Sequence, residues 1–214
     1  VDFLGRVMGP LARGVPGGAR APRDCTGPRY DRSMEVKAPL APLPAAAASQ
    51  PVLAAYAQIN HLKDLFRQGW LRKGVPRVRC ESVAEHTAGV AWLAVLLTPE
   101  FPELNTLCVL RMALLHDLGE VHAGDIVPGQ GVAPEVKHAL EREGLERVLA
   151  GVPGAEALMA LWDEYEVGET PEARFVRALD RLEMGLQAAR YAEAGVLADP
   201  SDFLRSARDA VSQP

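Results

Sequence analysis

Cysteine is scarce in this chain of 214 residues: Cys25, Cys80 and Cys108 make an odd set with no C-x-x-C pair. That excludes a disulfide scaffold or a four-cysteine zinc site and matches a reducing compartment. Isoleucine is scarcer still, with only Ile59 and Ile126. No alternating apolar run bounded by hairpin turns is present, which argues against a sheet. The longest apolar stretch, Ala88 to Leu97, is about half the length a bilayer span requires. No basic segment followed by an apolar one opens the sequence, so secretion is not expected and a cytoplasmic location is. Positive charge is also short. The formal net charge is −5, and from Pro51 onward 16 basic side chains face 24 acidic ones. Such a surface repels a nucleic-acid backbone, and neither nucleic acid nor membrane is an expected partner.

What is present divides the chain unevenly. Residues 1–50 hold 7 of the 17 prolines and 6 of the 19 glycines without apolar periodicity, and are expected to form a flexible extension. Residues 51–198 read as one all-α domain of about six helices, and 199–214 as a C-terminal tail. Ala, Leu, Glu and Arg, all good helix formers, dominate the domain. Leu53, Tyr56, Ile59, Leu62, Leu65 and Phe66 repeat at helical steps and predict one apolar face. Ser82-Val-Ala-Glu85 is a capping box that opens a helix running to about Leu97. Further helices are expected over 103–118, 134–150 and 154–166. A last one, capped by Thr170 with Pro171 in its first turn, should end near Gly195.

The dipeptide His116-Asp117 ends an apolar helical stretch, where a carboxylate beside an imidazole needs a compensating charge or metal. His86 falls in the first turn after the capping box. Asp180 lies mid-helix among core positions, where an aspartate is unfavourable without a partner. Two imidazoles and two carboxylates on three helices suit one divalent cation inside a bundle: Mn²⁺, Co²⁺, Fe²⁺ or Zn²⁺, with Mg²⁺ possible. Glu183, one turn after Asp180, reads equally as a partner of that set or as a surface acid. His61, His122 and His138 read as surface or loop residues, and Trp92 and Trp162 as core. The charged positions from Lys137 to Arg147 read as a solvated face with i,i+4 pairs.

The order His86 … His116-Asp117 … Asp180 resembles the HD-domain phosphohydrolase superfamily. The segments Glu-Ser-Val-Ala-Glu-His, Ala-Leu-Leu-His-Asp-Leu-Gly-Glu-Val-His-Ala-Gly-Asp-Ile-Val-Pro, Leu-Trp-Asp-Glu-Tyr-Glu and Ala-Leu-Asp-Arg-Leu-Glu-Met narrow it to the 5'-deoxynucleotidases, from about Ile59 to Ala194. The resemblance implies an HD-domain helical bundle and a homodimer. It implies hydrolysis of deoxynucleoside 5'-monophosphates, with a small-molecule deoxynucleotide as partner. His86, His116, Asp117 and Asp180 would hold the metal, and Glu120 and Asp125 would be catalytic. Arg67 and Trp70 would contact phosphate and deoxyribose. Two residues separate Arg67 from Trp70, whereas some bacterial relatives have the pair adjacent. Two rivals remain at this point: an HD phosphohydrolase acting on nucleoside triphosphates or signalling nucleotides, and a non-catalytic nucleotide-binding protein.

Overall fold

A computed structural model describes residues 35–44, 47 and 49–212. Among these the architecture is helical, with two isolated bridges, Val36 to Leu65 and Phe66 to Ser82, in place of strands. In chain order the helices are α1 (Pro51–Ile59), α2 (Gln68–Arg72), α3 (Val83–Leu97), α4 (Thr106–Leu115), α5 (Glu120–Ala123), α6 (Pro134–Val148), α7 (Ala155–Val167), α8 (Pro171–Glu193) and α9 (Ser201–Ser212). The all-α expectation is therefore met. The helix starts are built from the signals in the sequence. Ser82 and Glu85 exchange both hydrogen bonds of the capping box, and the Thr170 hydroxyl accepts from the Ala173 amide.

Three boundaries differ from expectation. The apolar face expected from Leu53 to Phe66 is broken, because α1 ends at Ile59 and a 3₁₀ turn follows over Asn60–Lys63. Leu62, Leu65 and Phe66 are buried while Leu53 and Tyr56 are exposed. Within the segment 199–214, expected as a tail, Ser201–Ser212 forms α9, and Ala207 is fully buried against the core shared by α3, α4 and α8. The short α9 repeats Leu204, Ala207 and Val211 at helical steps, so it has a face to bury. Most of the expected 1–50 extension lies outside the described residues. Its residues 35–37 are joined to the domain: the Glu35 amide donates to the Gln68 side chain, which donates back to the Glu35 carbonyl, and the Lys37 amide donates to Asp64.

Three apolar clusters hold the helices. One joins α3, α4, α8 and α9; a second centres on Leu62, Leu145, Val148 and Trp162; a third packs Phe66, Trp70, Val75 and Cys80 on Ala188, Tyr191 and Leu197. Trp162 is core as expected, whereas Trp92 is 67% exposed on the outer face of α3, opposite the row Val83, His86 and Val90. The charged face of α6 carries the expected i,i+4 pairs, Lys137 with Glu141 and Arg142 with Glu146.

The seat of α5 is set by glycine. A Cβ on Gly119 would overlap the carbonyl oxygen of Glu141, and one on Gly144 would overlap the carbonyl oxygen of Gly119. Backbone thus rests on backbone where α5 meets α6, one residue before Glu120. Gly144→Ala is expected to lower unfolding free energy by about 1–3 kcal/mol in a urea titration, as overpacking against rigid backbone does.

Candidate active site

Four segments converge on one spot. His86 sits in the first turn of α3, on the face that carries Val83 and Val90, and is fully buried. His116 follows the last residue of α4, and Asp117 begins the turn toward α5. Asp180 lies on α8, one position after the fully buried Leu179. Gly124, at φ 79°, stops α5 after one turn and swings the chain so that Asp125 points back to the same place.

The distances are short. His86 Nε2 lies 3.4 Å from His116 Nε2, 3.2 Å from Asp180 Oδ1 and 3.7 Å from Asp117 Oδ2. His116 Nε2 is 3.2 Å from Asp117 Oδ2. The outer edges of both rings are engaged: His116 Nδ1 is 2.9 Å from the Ala113 carbonyl oxygen, and His86 Nδ1 is 2.6 Å from Glu183 Oε2. Those partners accept hydrogen bonds from Nδ1–H and turn both Nε2 atoms toward each other; without a cation His86 Nε2–H donates to Asp180, and a bound cation would take that proton's place. Two Nε2 atoms 3.4 Å apart, with carboxylate oxygens beside them, form a pocket rich in donor atoms. That donor set fits a divalent cation; among the described residues His86, His116 and Asp117 lie close enough to share one, as do Glu81, His86 and Glu183 on the other edge of the His86 ring.

Arg67 is the cation that the side chains supply. It precedes α2 in extended conformation, and its Nη1 lies 3.0 Å from Asp125, 3.3 Å from Asp117 and 3.9 Å from Glu120. Its Nη2 reaches the Met184 sulfur at 3.7 Å. Asp125 is fixed further by the Gln68 amide, which donates to Oδ2 at 2.5 Å. Burial and the neighbouring charges of Asp117 and Asp125 push the Glu120 carboxyl well above the usual carboxylate range, and its Oε2 is buried without a hydrogen-bond partner. Burial would raise Asp180 too, but the hydrogen bond and charge of His86 outweigh it and bring that group down to about 2.

Seven of the eight site residues expected from the sequence thus gather here. Trp70 does not. It is 1% exposed, donates from Nε1 to Glu81 Oε1 at 2.6 Å, and packs on Tyr191 and Phe203. Its ring therefore lies apart from the carboxylates that Arg67 touches, covered by Tyr191 and Phe203. The expected contact with deoxyribose presumed one continuous helix through Arg67 and Trp70, whereas the chain is extended at Arg67. Glu81 opens the first quoted segment but received no role, since an acid just before a capping box has no periodic signal. Glu183 is resolved as a partner of His86. His122 approaches Gln58, with its Nε2 at 2.8 Å from Oε1, and His138 stacks on Trp162. Removing Arg67 would leave buried carboxylates without their cation. Arg67→Ala is expected to lower the unfolding free energy of chelator-treated protein by about 3–5 kcal/mol, read from its urea midpoint.

An HD domain family model matches residues 59–209. The human 5'-deoxynucleotidase HDDC2 is 36% identical over 135 residues, which cover 62% of this chain and 64% of the human protein. The Schizosaccharomyces pombe 5'-deoxynucleotidase hdd1 is 34% identical over 139 residues, covering 62% of this chain and 68% of that one. Among solved structures, a conserved hypothetical protein from Pyrococcus furiosus matches with TM-score 0.63 and 29% identity, over 74% of this chain and 88% of the other. A predicted metal-dependent phosphohydrolase from Magnetospirillum magnetotacticum matches with TM-score 0.56 and 28% identity, over 78% and 94%. The fold, the ordered His/Asp set and these likenesses agree: the chain belongs to the HD domain family.

Proposed function

We propose that the protein is a metal-dependent phosphomonoesterase that hydrolyses deoxynucleoside 5'-monophosphates to deoxynucleoside and phosphate. The observation that carries this reading is the facing pair of Nε2 atoms, 3.4 Å apart and flanked by Asp117 and Asp180. The relatives that bear the name 5'-deoxynucleotidase give the substrate class. His86, His116, Asp117 and Asp180 would hold one divalent cation of the Mn²⁺, Co²⁺, Fe²⁺ or Zn²⁺ kind. Such a cation, when bound, polarises phosphate oxygens and lowers the pKa of water.

The remaining residues have separate tasks. Arg67 keeps Nη1 on the carboxylates and has only the Met184 sulfur near Nη2 among the described residues, so Nη2 is the donor left for a phosphate oxygen. Glu120, with Oε2 unpartnered, is the group to orient the attacking water and to pass a proton to the leaving 5'-oxygen. Asp125, held by the Gln68 amide, fixes Arg67 and borders the same space. Trp70, expected from the sequence to contact deoxyribose, would bear on selection against a ribose hydroxyl only if its packing on Tyr191 and Phe203 opens when substrate binds.

The test is phosphate release from dAMP by full-length protein with Mn²⁺ or Co²⁺. The deoxynucleotide is expected to turn over much faster than AMP, and Asp117→Ala to abolish activity. Glu120→Gln is expected to lose about 10²–10⁴-fold in kcat, the range for removing a general acid–base group. Equal rates on both sugars would remove the deoxy preference. Tripolyphosphate or pyrophosphate from a triphosphate substrate, with no orthophosphate from dAMP, would replace the reading with a triphosphatase.

A homodimer belongs to the same reading. Helix α3 carries no charge after Glu85, and its outer face exposes Trp92, Val95 and Leu96. Light scattering is expected to give twice the chain mass for the wild type and the single mass for Trp92→Glu. No helix among the described residues is long and apolar enough to cross a membrane. Cys80 and Cys108 are free thiols, which suits the proposed cytoplasmic location.

A further inference from the structure

The structure assigns to Glu183 a positioning role: its carboxylate holds His86 as the Nδ1–H tautomer and thereby aims the Nε2 lone pair at the cation site proposed above, on which this inference rests. Helix α8 grips both edges of the imidazole from one face. Asp180 Oδ1 is 3.2 Å from Nε2, and Glu183, three residues on and so on the same side, is 2.6 Å from Nδ1. With Nδ1 as acceptor instead, Nε2 would carry the proton and offer no lone pair. A carboxylate on the far nitrogen also makes the ring a stronger donor toward a metal.

Two further features are built around Glu183. On α3, three residues after His86, Gly89 leaves the room it occupies: a Cβ there would stand 2.7 Å from Glu183 Oε1 and 2.9 Å from its Cγ. On the other side lies Glu81, with one oxygen within 4.8 Å of both Glu183 and His86. Burial, then the charge of Glu183, raises the Glu81 carboxyl to about 7. Glu81 is itself held by the Trp70 Nε1–H at 2.6 Å, and its amide donates to the Tyr191 hydroxyl at 2.9 Å. Trp70 is thereby tied to the site through Glu81.

The experiment measures Mn²⁺ affinity by titration calorimetry on full-length wild type, Glu183→Gln and Gly89→Ala, with no substrate present. Glu183→Gln is expected to lose about 10- to 100-fold in Mn²⁺ affinity without a lower metal-free melting temperature. Gly89→Ala, which keeps the carboxylate but displaces it, is expected to lose affinity too, and carries the test if the first variant does not fold. Affinities within twofold of wild type in the folded variants would overturn the inference, as would a wild type that binds no Mn²⁺. Intact Mn²⁺ effects alongside absent dAMP hydrolysis would overturn the proposed activity and leave the role of Glu183 standing.

Discussion

Buried negative charge is the constraint around which this domain is organised. Asp117, Glu120, Asp125 and Asp180 come together in a space that excludes most water, and Arg67 is the guanidinium set among them. Carboxylates so close cannot all ionise freely, and Glu120, without a partner on Oε2, takes up the strain as a raised pKa. Arg67 offsets only part of that charge. The two imidazoles, with Nε2 turned inward, mark where a second positive centre belongs.

The helices matter chiefly for how they deliver these groups. α3 and α8 bring His86, Asp180 and Glu183 as rigid pairs on single faces, while the passage from α4 through α5 supplies His116, Asp117, Glu120 and Asp125 within one tight bend. Groups on helix faces keep their relative spacing when the domain flexes. Groups on the bend depend on what the bend is packed against, and this is where α6 enters.

Much of this was legible in the sequence, for reasons that differ by residue. The starts of α3 and α8 were written locally in Ser82/Glu85 and Thr170/Pro171, because a cap is satisfied within its own turn. The meeting of His86, His116, Asp117 and Asp180 was not local. It came from the order of motifs, since no spacing rule links positions so far apart. Trp70 does not share a face with Arg67 because Arg67 is the extended residue that precedes α2, and an i,i+3 relation sets side-chain direction only between residues inside one helix. Glu81 and the α5–α6 glycine contact carried no signal, as each is defined by what the other end of the chain brings to it. Helix α9 did carry its apolar repeat, but in a short, charged stretch that resembles a tail.

The contact of Gly119 with Glu141 and of Gly144 with Gly119 has one more consequence. Most helix crossings are spaced by side chains, whose rotamers let a protein trade one size for another. Here peptide groups touch directly, so the gap has a floor that no residue choice can shift. The outer side of α6 is free to vary in charge and shape. Along its inner side, the ruler that sets the depth of the acid at position 120 is the width of the main chain itself.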